Sequence, residues 1–247
     1  MVVRIKSEVP KISALAKQYG VVLGFVLLIC IGALLSETFL SAQNLINILK
    51  QYAPIVVISC GTTLVIISGQ IDLGAGSVVA LSGCISVSTY LHTHALALAI
   101  LAALCVGVLT GLINGFVITY YKLAPFIVTL AMQFMARGGA LMFTNGIPLT
   151  LDDGFKVIGQ GTLGFVPIAV VIMLAAIIAN CVILNKTRLG RYVYAVGGNE
   201  DAAQASGINV KKIKIVIYIL AGMFTGIAGI ILAVILDVKT KTIKTKD

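Results

Sequence analysis

The sequence predicts an all-α fold, a polytopic transmembrane helical bundle of about seven spans with a short helix in one cytoplasmic connection. Composition, the recurrence of lipid-length apolar windows and the placement of charge all point the same way. Of 247 residues, 59% are apolar and 11% charged, against roughly 45–50% and about 25% in soluble domains. A hydrocarbon core about 30 Å thick needs roughly 20 mostly apolar residues per helix. Such windows recur at 20–36, 52–68, 77–91, 95–119, 125–143, 165–184 and 214–236. The formal charge of +9 is carried by Lys and Arg clustered between these windows, a pattern that sets topology and does not point to nucleic acid.

Arg4, Lys6, Lys11 and Lys17 precede the first window, which no small-residue cleavage site closes, so it reads as an uncleaved helix with a cytoplasmic N-terminus. Alternating crossings then put Lys122 inside, followed by Lys186, Arg188, Arg191, Lys211, Lys212 and Lys214, and put Asp152 and Asp153 outside. An error of one span would export the most basic loop. Between the first two windows, SETFLSAQNLINILKQ (36–51) mixes Phe39, Leu40, Leu45, Ile46, Ile48 and Leu49 with polar residues. It is expected to lie along the outer interface without crossing. Four-residue glycine spacing in Gly20/Gly24, Gly107/Gly111/Gly115 and Gly222/Gly226 marks faces where helices approach closely in lipid. The five cysteines sit in apolar windows without zinc or redox spacing and read as packing residues. His92 and His94 would need a third ligand from elsewhere to hold a metal, and a wet loop is the reading preferred.

Two motifs carry charge next to or within apolar runs. In GTTLVIISGQIDLGAGS (61–77), glycines surround Asp72. Either the segment is a cytoplasmic turn in which Asp72 or Ser77 caps the next helix, or the acid joins a structural ion pair, or it meets a transported solute. In MQFMARGGALMFTNGIP (132–148), Arg137 lies in an apolar window. It is expected to reach the outer surface or to bond carbonyls freed near Gly138 and Gly139, and a pairing of Asp72 with Arg137 would offset two costly charges. Asp72, Arg137 and Asn145 are therefore the candidates for a translocation pathway or for structural charges. A third motif, TRLGRYVYAVGGNEDAAQASGINVKKIK (187–214), spells a short helix. Gly197 and Gly198 are read as a flexible turn and Asn199 as the N-cap. Glu200 and Asp201 fall in the first turn, Ala202, Ala203, Gln204 and Ala205 continue the helix, and Gly207 ends it. A helix this short needs a surface to pack against.

Asp201, Ala202, Ala203 and Gly207 reproduce the E/D-A-A-x-x-x-G spacing of the coupling loop of ABC importer permeases. The flanking residues resemble the branch that carries ribose, xylose and related monosaccharides, as do GTTLVIISGQIDLGAGS, ARGGALMFTNGIP and NLINILKQ; Thr62, Gln70 and Gly74 depart from that branch's pattern. The resemblance spans about 36–236 and implies a permease subunit working by alternating access in the bacterial plasma membrane. It implies that Arg188, Gly190, Arg191, Gly197, Gly198, Asn199, Glu200, Asp201, Ala202, Ala203 and Gly207 form the loop that meets a separate ABC ATPase subunit. A sugar-binding protein outside the membrane, a second permease copy, a monosaccharide and membrane lipid complete the implied partners. No G-x-x-x-x-G-K-[ST] occurs, so ATP is expected on the partner and no cofactor on this chain, which is not expected to be an enzyme. The G-x-G-x-x-G at Gly159, Gly161 and Gly164 follows no soluble strand and reads as accidental. Two other readings stay open: an ion-coupled carrier using Asp72, and a non-functional permease fragment. The domain runs over 1–236. The Lys/Thr-rich stretch 237–247, with Lys239, Lys241, Lys244 and Lys246, would sit outside against the positive-inside rule, so a C-terminally truncated permease is expected.

Overall fold

The computed structural model describes residues 11–147, 155, 161–164 and 166–244, with side chains described from 19 to 235 within that set except at Leu163. It divides into two compact units, residues 1–48 and 49–247. In the first unit, α1 (Lys11–Leu35) ends in a turn where the Phe39 ring lies against Gly32, so closely that a Cβ there would come within 2.8 Å of Phe39 Cζ. Ser41 then caps the next helix, α2 (Ala42–Ile67). Its Oγ accepts from the Asn44 N–H at 3.2 Å and donates to the Thr38 carbonyl at 2.7 Å, satisfying a backbone group that a helix start leaves open. This corrects the expectation for 36–51: residues 42–51 belong to the same helix as the following apolar window. With a cap at Ser41 and Pro54 accommodated inside the helix, one continuous helix keeps nearly all of the segment's backbone groups paired, which outweighs its mixed polarity. Gly20 and Gly24 do not bear out the close-packing expectation within their unit, because a Cβ at either meets nothing within 4 Å.

The second unit contains the rest of α2, then α3 (Ala75–Thr93) and α4 (Leu96–Tyr120). Next come α5 (Pro125–Thr144), which takes Pro125 at its first turn, and a two-residue antiparallel hairpin. In it Leu163 of β1 (Thr162–Leu163) faces Val166 of β2 (Val166–Pro167). The chain continues through α6 (Ile168–Lys186), α7 (Arg188–Gly198), α8 (Glu200–Ala205) and α9 (Val210–Lys244). Among the described residues six helices are long and apolar enough to cross a membrane, and Tyr19–Leu35 in α1 forms a shorter apolar stretch. The all-α polytopic bundle is thus the observed architecture. α9 starts four residues before its apolar window because Asn209 Oδ1 accepts from the Lys212 N–H at 3.0 Å and caps it there. The Asp152/Asp153 loop and Gly159 lie outside the described residues.

α9 is the centre of this unit: 61% of its membrane-length window is buried, against 22% for α4. Ile217, Ala221, Ala228, Ile231 and Val234 form its inward stripe. α4 supplies the flat face on which it lies. A Cβ at Gly107 would collide with the Gly222 carbonyl oxygen, one at Gly222 with the Gly107 carbonyl, and one at Gly111 with the Tyr218 carbonyl. At Gly115 it would stand 2.8 Å from Ile215 Cα, and at Gly226 2.7 Å from the Ala103 oxygen. The glycine spacing of both segments is therefore one shared interface, the small-residue packing that substitutes in lipid for a hydrophobic driving force. α3 closes in similarly, with Gly83 against the Gly229 carbonyl, and Ser86 Oγ donates to the Ala99 carbonyl of α4 at 3.0 Å. The cysteines are free thiols, Cys60 buried and Cys30, Cys105 and Cys181 exposed, and His94 ends α3 in a left-handed conformation, φ 50.

Gly222→Val forces backbones apart and should lower thermal stability in detergent by more than the ~1–3 kcal/mol typical of overpacking. Gly138→Ala has open space around the new methyl and should be neutral or stabilising by up to ~1 kcal/mol.

Candidate functional site at the end of the bundle that carries α7 and α8

Three connections meet at one end of the second unit: α2–α3, α4–α5 and the run from α6 to α9. The corner between α6 and α7 is tight. Thr187 Oγ1 accepts from the Gly190 N–H at 3.2 Å and donates to the Ile183 carbonyl at 2.6 Å. A Cβ at Gly190 would collide with the Ile183 and Leu184 carbonyls. α7 is amphipathic, with Gly190, Val193 and Val196 buried and Arg188, Arg191, Tyr192 and Tyr194 exposed. Arg191 Nη1 donates to the Thr187 carbonyl at 3.3 Å. Gly197 and Gly198 are the last helical residues of α7, not a flexible turn. Gly197 is there because a Cβ would collide with the Ile67 carbonyl at the end of α2, a close approach open only to glycine.

α8 has the caps that its residues predict. Asn199 Oδ1 accepts from the Ala202 N–H at 2.9 Å, and Glu200 and Asp201 occupy the first turn. Gly207 takes φ +83, with its N–H on the Gln204 carbonyl and that of Ile208 on Ala203, so the closing turn needs the left-handed residue. The helix also has support within the chain. Ala203 is buried in the same apolar cluster as Leu64, Val193 and Ile213, and Glu200 pairs with Lys214 of α9 at 2.7 Å. Asp201, Ala202, Gln204 and Ala205 remain exposed. Beside them opens a groove of about 950 Å³, lined among others by Gln70, Thr119, Lys122, Glu200, Gly207 and Lys211. Lys122 turns the chain there with φ 52, and Lys211 lies 5.5 Å above the Tyr120 ring.

Asp72 sits in the α2–α3 connection as a turn acid. Its Oδ1 accepts from the Gly74 N–H at 2.8 Å. Burial pushes its carboxyl above the ordinary carboxylate range, opposed by the N–H groups of Gly74 and Ala75. The turn is pinned from α9, where Tyr218 Oη donates to the Ile71 carbonyl at 3.1 Å; Thr129 Oγ1 stands 3.5 Å from the same oxygen while donating to the Pro125 carbonyl at 2.8 Å. Arg137 is exposed on α5, and the expected pairing with Asp72 is not formed; among the described residues the ion pair present is Lys214–Glu200. Asp72 is anchored near the first turns of α5, where Gly74 faces Thr129 and Gln133, and Arg137 stands a further helical turn along. Asn145 is exposed and ends α5 in a left-handed conformation, φ 50, its N–H reaching the Leu141 and Met142 carbonyls. The structure thus gathers the 188–207 residues with Asp72 at one end and leaves Arg137 and Asn145 apart from them.

Sequence reasoning named Gln70 only as a departure from the branch pattern and Lys122 only as a topology marker, and it did not single out Tyr218. Gln70 is 8% exposed, with its side-chain oxygen lacking a partner. A buried amide beside Asp72 and a tyrosine inside the apolar run of α9 were the signals available.

The described residues form a multi-pass helical bundle with a capped helix in one polar connection, the class of an integral membrane protein. Residues 44–245 match the family described as branched-chain amino acid transport system / permease component, and the chain belongs to that family of transport subunits. It is 40% identical over 215 residues to the ribose import permease protein of Escherichia coli (strain K12), covering 85% of this chain and 67% of that protein. It is 39% identical to the ribose import permease protein of Bacillus subtilis (strain 168), covering 87% and 68%. To the galactofuranose transporter permease protein of E. coli (strain K12) the identity is 36%, over 76% and 55%. No solved structure matches the chain at the same level of significance.

Removing the α8 cap by Asn199→Ala should cost about 1 kcal/mol of local stability. Hydrogen exchange at the Ala202 and Ala203 amides should quicken severalfold, while Glu200→Gln, which loses an exposed pair, should change it little.

Proposed function

We propose that the chain is the membrane-spanning permease of an ATP-driven importer for a monosaccharide of the ribose class, moving the sugar by alternating access without chemistry on it. The likeness to ribose import permeases over more than four-fifths of the chain supports the sugar class. The observation that carries the mechanism is α8, closed by Asn199 at one end and Gly207 at the other, with Asp201, Ala202, Gln204 and Ala205 presented outward. This helix docks an ABC ATPase subunit, which holds the ATP; the permease itself uses no cofactor. α7 reaches the end of α2 through Gly197 and Ile67, so a push on α8 is delivered to the α2–α3 turn and to α9. The positive-inside rule supports a cytoplasmic N-terminus and places this end of the bundle in the cytoplasm of a bacterial cell, facing the ATPase. A solute-binding protein delivers the sugar at the opposite face, and two permease copies pair with two ATPase domains.

In vesicles holding the complete complex, labelled ribose should enter only with ATP and the binding protein, with xylose and galactose as competitors ranking the specificity. Uptake driven by a sodium or proton gradient without ATP would contradict the proposal. Gly207→Val forces a β-branched residue into a left-handed conformation. It should reduce sugar-stimulated ATP hydrolysis by tenfold or more, about 1.4 kcal/mol or more of coupling, while leaving the basal rate; undiminished stimulation with the ATPase still bound would remove α8 from the coupling path.

A further inference from the structure

Between α3, α4 and α9 in the second unit lies a small chamber of about 10 Å³, lined by residues that include Asp72, Thr110, Asn114, Tyr218 and Thr225. On that measure of cavity volume it is the size of one water molecule. Asn114 stands six residues from the end of α4, about 9 Å along the helix axis.

What distinguishes the chamber is the direction of its hydrogen bonds. The Thr110 hydroxyl is spent on the Val106 and Gly107 carbonyls, each at 3.0 Å. That of Thr225 is spent on the Ala221 carbonyl at 2.8 Å, and that of Tyr218 on the Ile71 carbonyl at 3.1 Å. Each oxygen keeps lone pairs and has no proton left to give. Asn114 is 3% exposed and its side-chain oxygen has no hydrogen-bond partner. Asp72 adds a carboxylate, an acceptor only, whose Oδ1 already takes the Gly74 N–H. The walls therefore carry four neutral oxygens and the Asp72 carboxylate, with the Asn114 amide NH2 as their one donor group, and no described cation pairs with that carboxylate. An uncompensated buried charge costs several kcal/mol, and an unsatisfied buried acceptor about 1–3 kcal/mol.

We propose that this chamber is a binding site for one monovalent cation of sodium size, held by the Asp72 carboxylate and by oxygens of Asn114, Thr110, Tyr218 and Thr225. One carboxylate matches one positive charge, and the oxygen set is that of a hard cation. The volume leaves no room for a hydrated divalent ion. The cation locks the α2–α3 turn to α4 and α9. It is not the driving ion, and the inference does not depend on the solute.

The test uses the full chain in lipid nanodiscs. Labelled sodium should bind saturably at one ion per chain. Replacing choline by sodium at constant ionic strength and pH should raise Tm by about 3–6 °C at tenfold the Kd. Asp72→Asn should abolish both effects. Thr225→Val keeps shape and removes one oxygen, and should weaken sodium binding about tenfold; it serves as the second variant should Asp72→Asn not fold. Absence of sodium binding with an unchanged Tm assigns the chamber to water or a proton and overturns the proposal. Unaltered binding in Thr225→Val places the sodium elsewhere and overturns it equally.

Discussion

The contact on which the second unit depends is the backbone approach of α4 and α9, where Gly107 and Gly222 face each other so closely that neither tolerates a Cβ. In lipid there is no hydrophobic drive between helices, so association rests on van der Waals fit and interhelical polar contacts. The glycines allow that fit along most of α4, and they fix which face of α9 turns inward. Tyr218, Ala221 and Thr225 then point into the bundle, and α2 and α3 settle against the remaining sides through Gly61, Gly83 and Gly229.

Once α9 is seated, the polar end follows from it. Tyr218 can reach the Ile71 carbonyl only because Gly111 lets its backbone close on α4. That hydrogen bond holds the segment between α2 and α3 in place. The end of α2 in turn receives Gly197 of α7, and Lys214 of α9 holds Glu200 of α8. One continuous set of contacts thus runs from the glycine interface to the exposed face of α8. None of these contacts relies on a surface ion pair alone, which contributes little: α8 is also held by the burial of Ala203.

The sequence made local features readable and hid those made by distant residues. The caps of α8 were legible because Asn199 and Gly207 act on neighbouring backbone, and the glycine faces were legible because their spacing is a helical repeat. Gly197 was misread as flexible because its reason, the Ile67 carbonyl, lies far away in sequence. Residues 42–51 were misread because mixed polarity signals an interface, whereas the Ser41 cap starts a helix that runs on through Pro54 into the apolar window. The Asp72–Arg137 pairing looked economical in charge. Helix geometry disallows it, since Asp72 meets α5 near Thr129 and Arg137 faces outward. The oxygen-lined chamber could not be read at all, since its walls come from three helices and one turn.

The central claim is that α8 is the surface that receives force from an ATPase. The most direct measurement is a cysteine scan of residues 200–206 in a cysteine-free background, with cross-linking to the ATPase subunit in the assembled complex. The account predicts strong cross-links from Asp201, Ala202, Gln204 and Ala205 and none from Ala203, which is buried. Cross-links from the His92–Ala95 connection instead, with residues 200–206 silent, would contradict it.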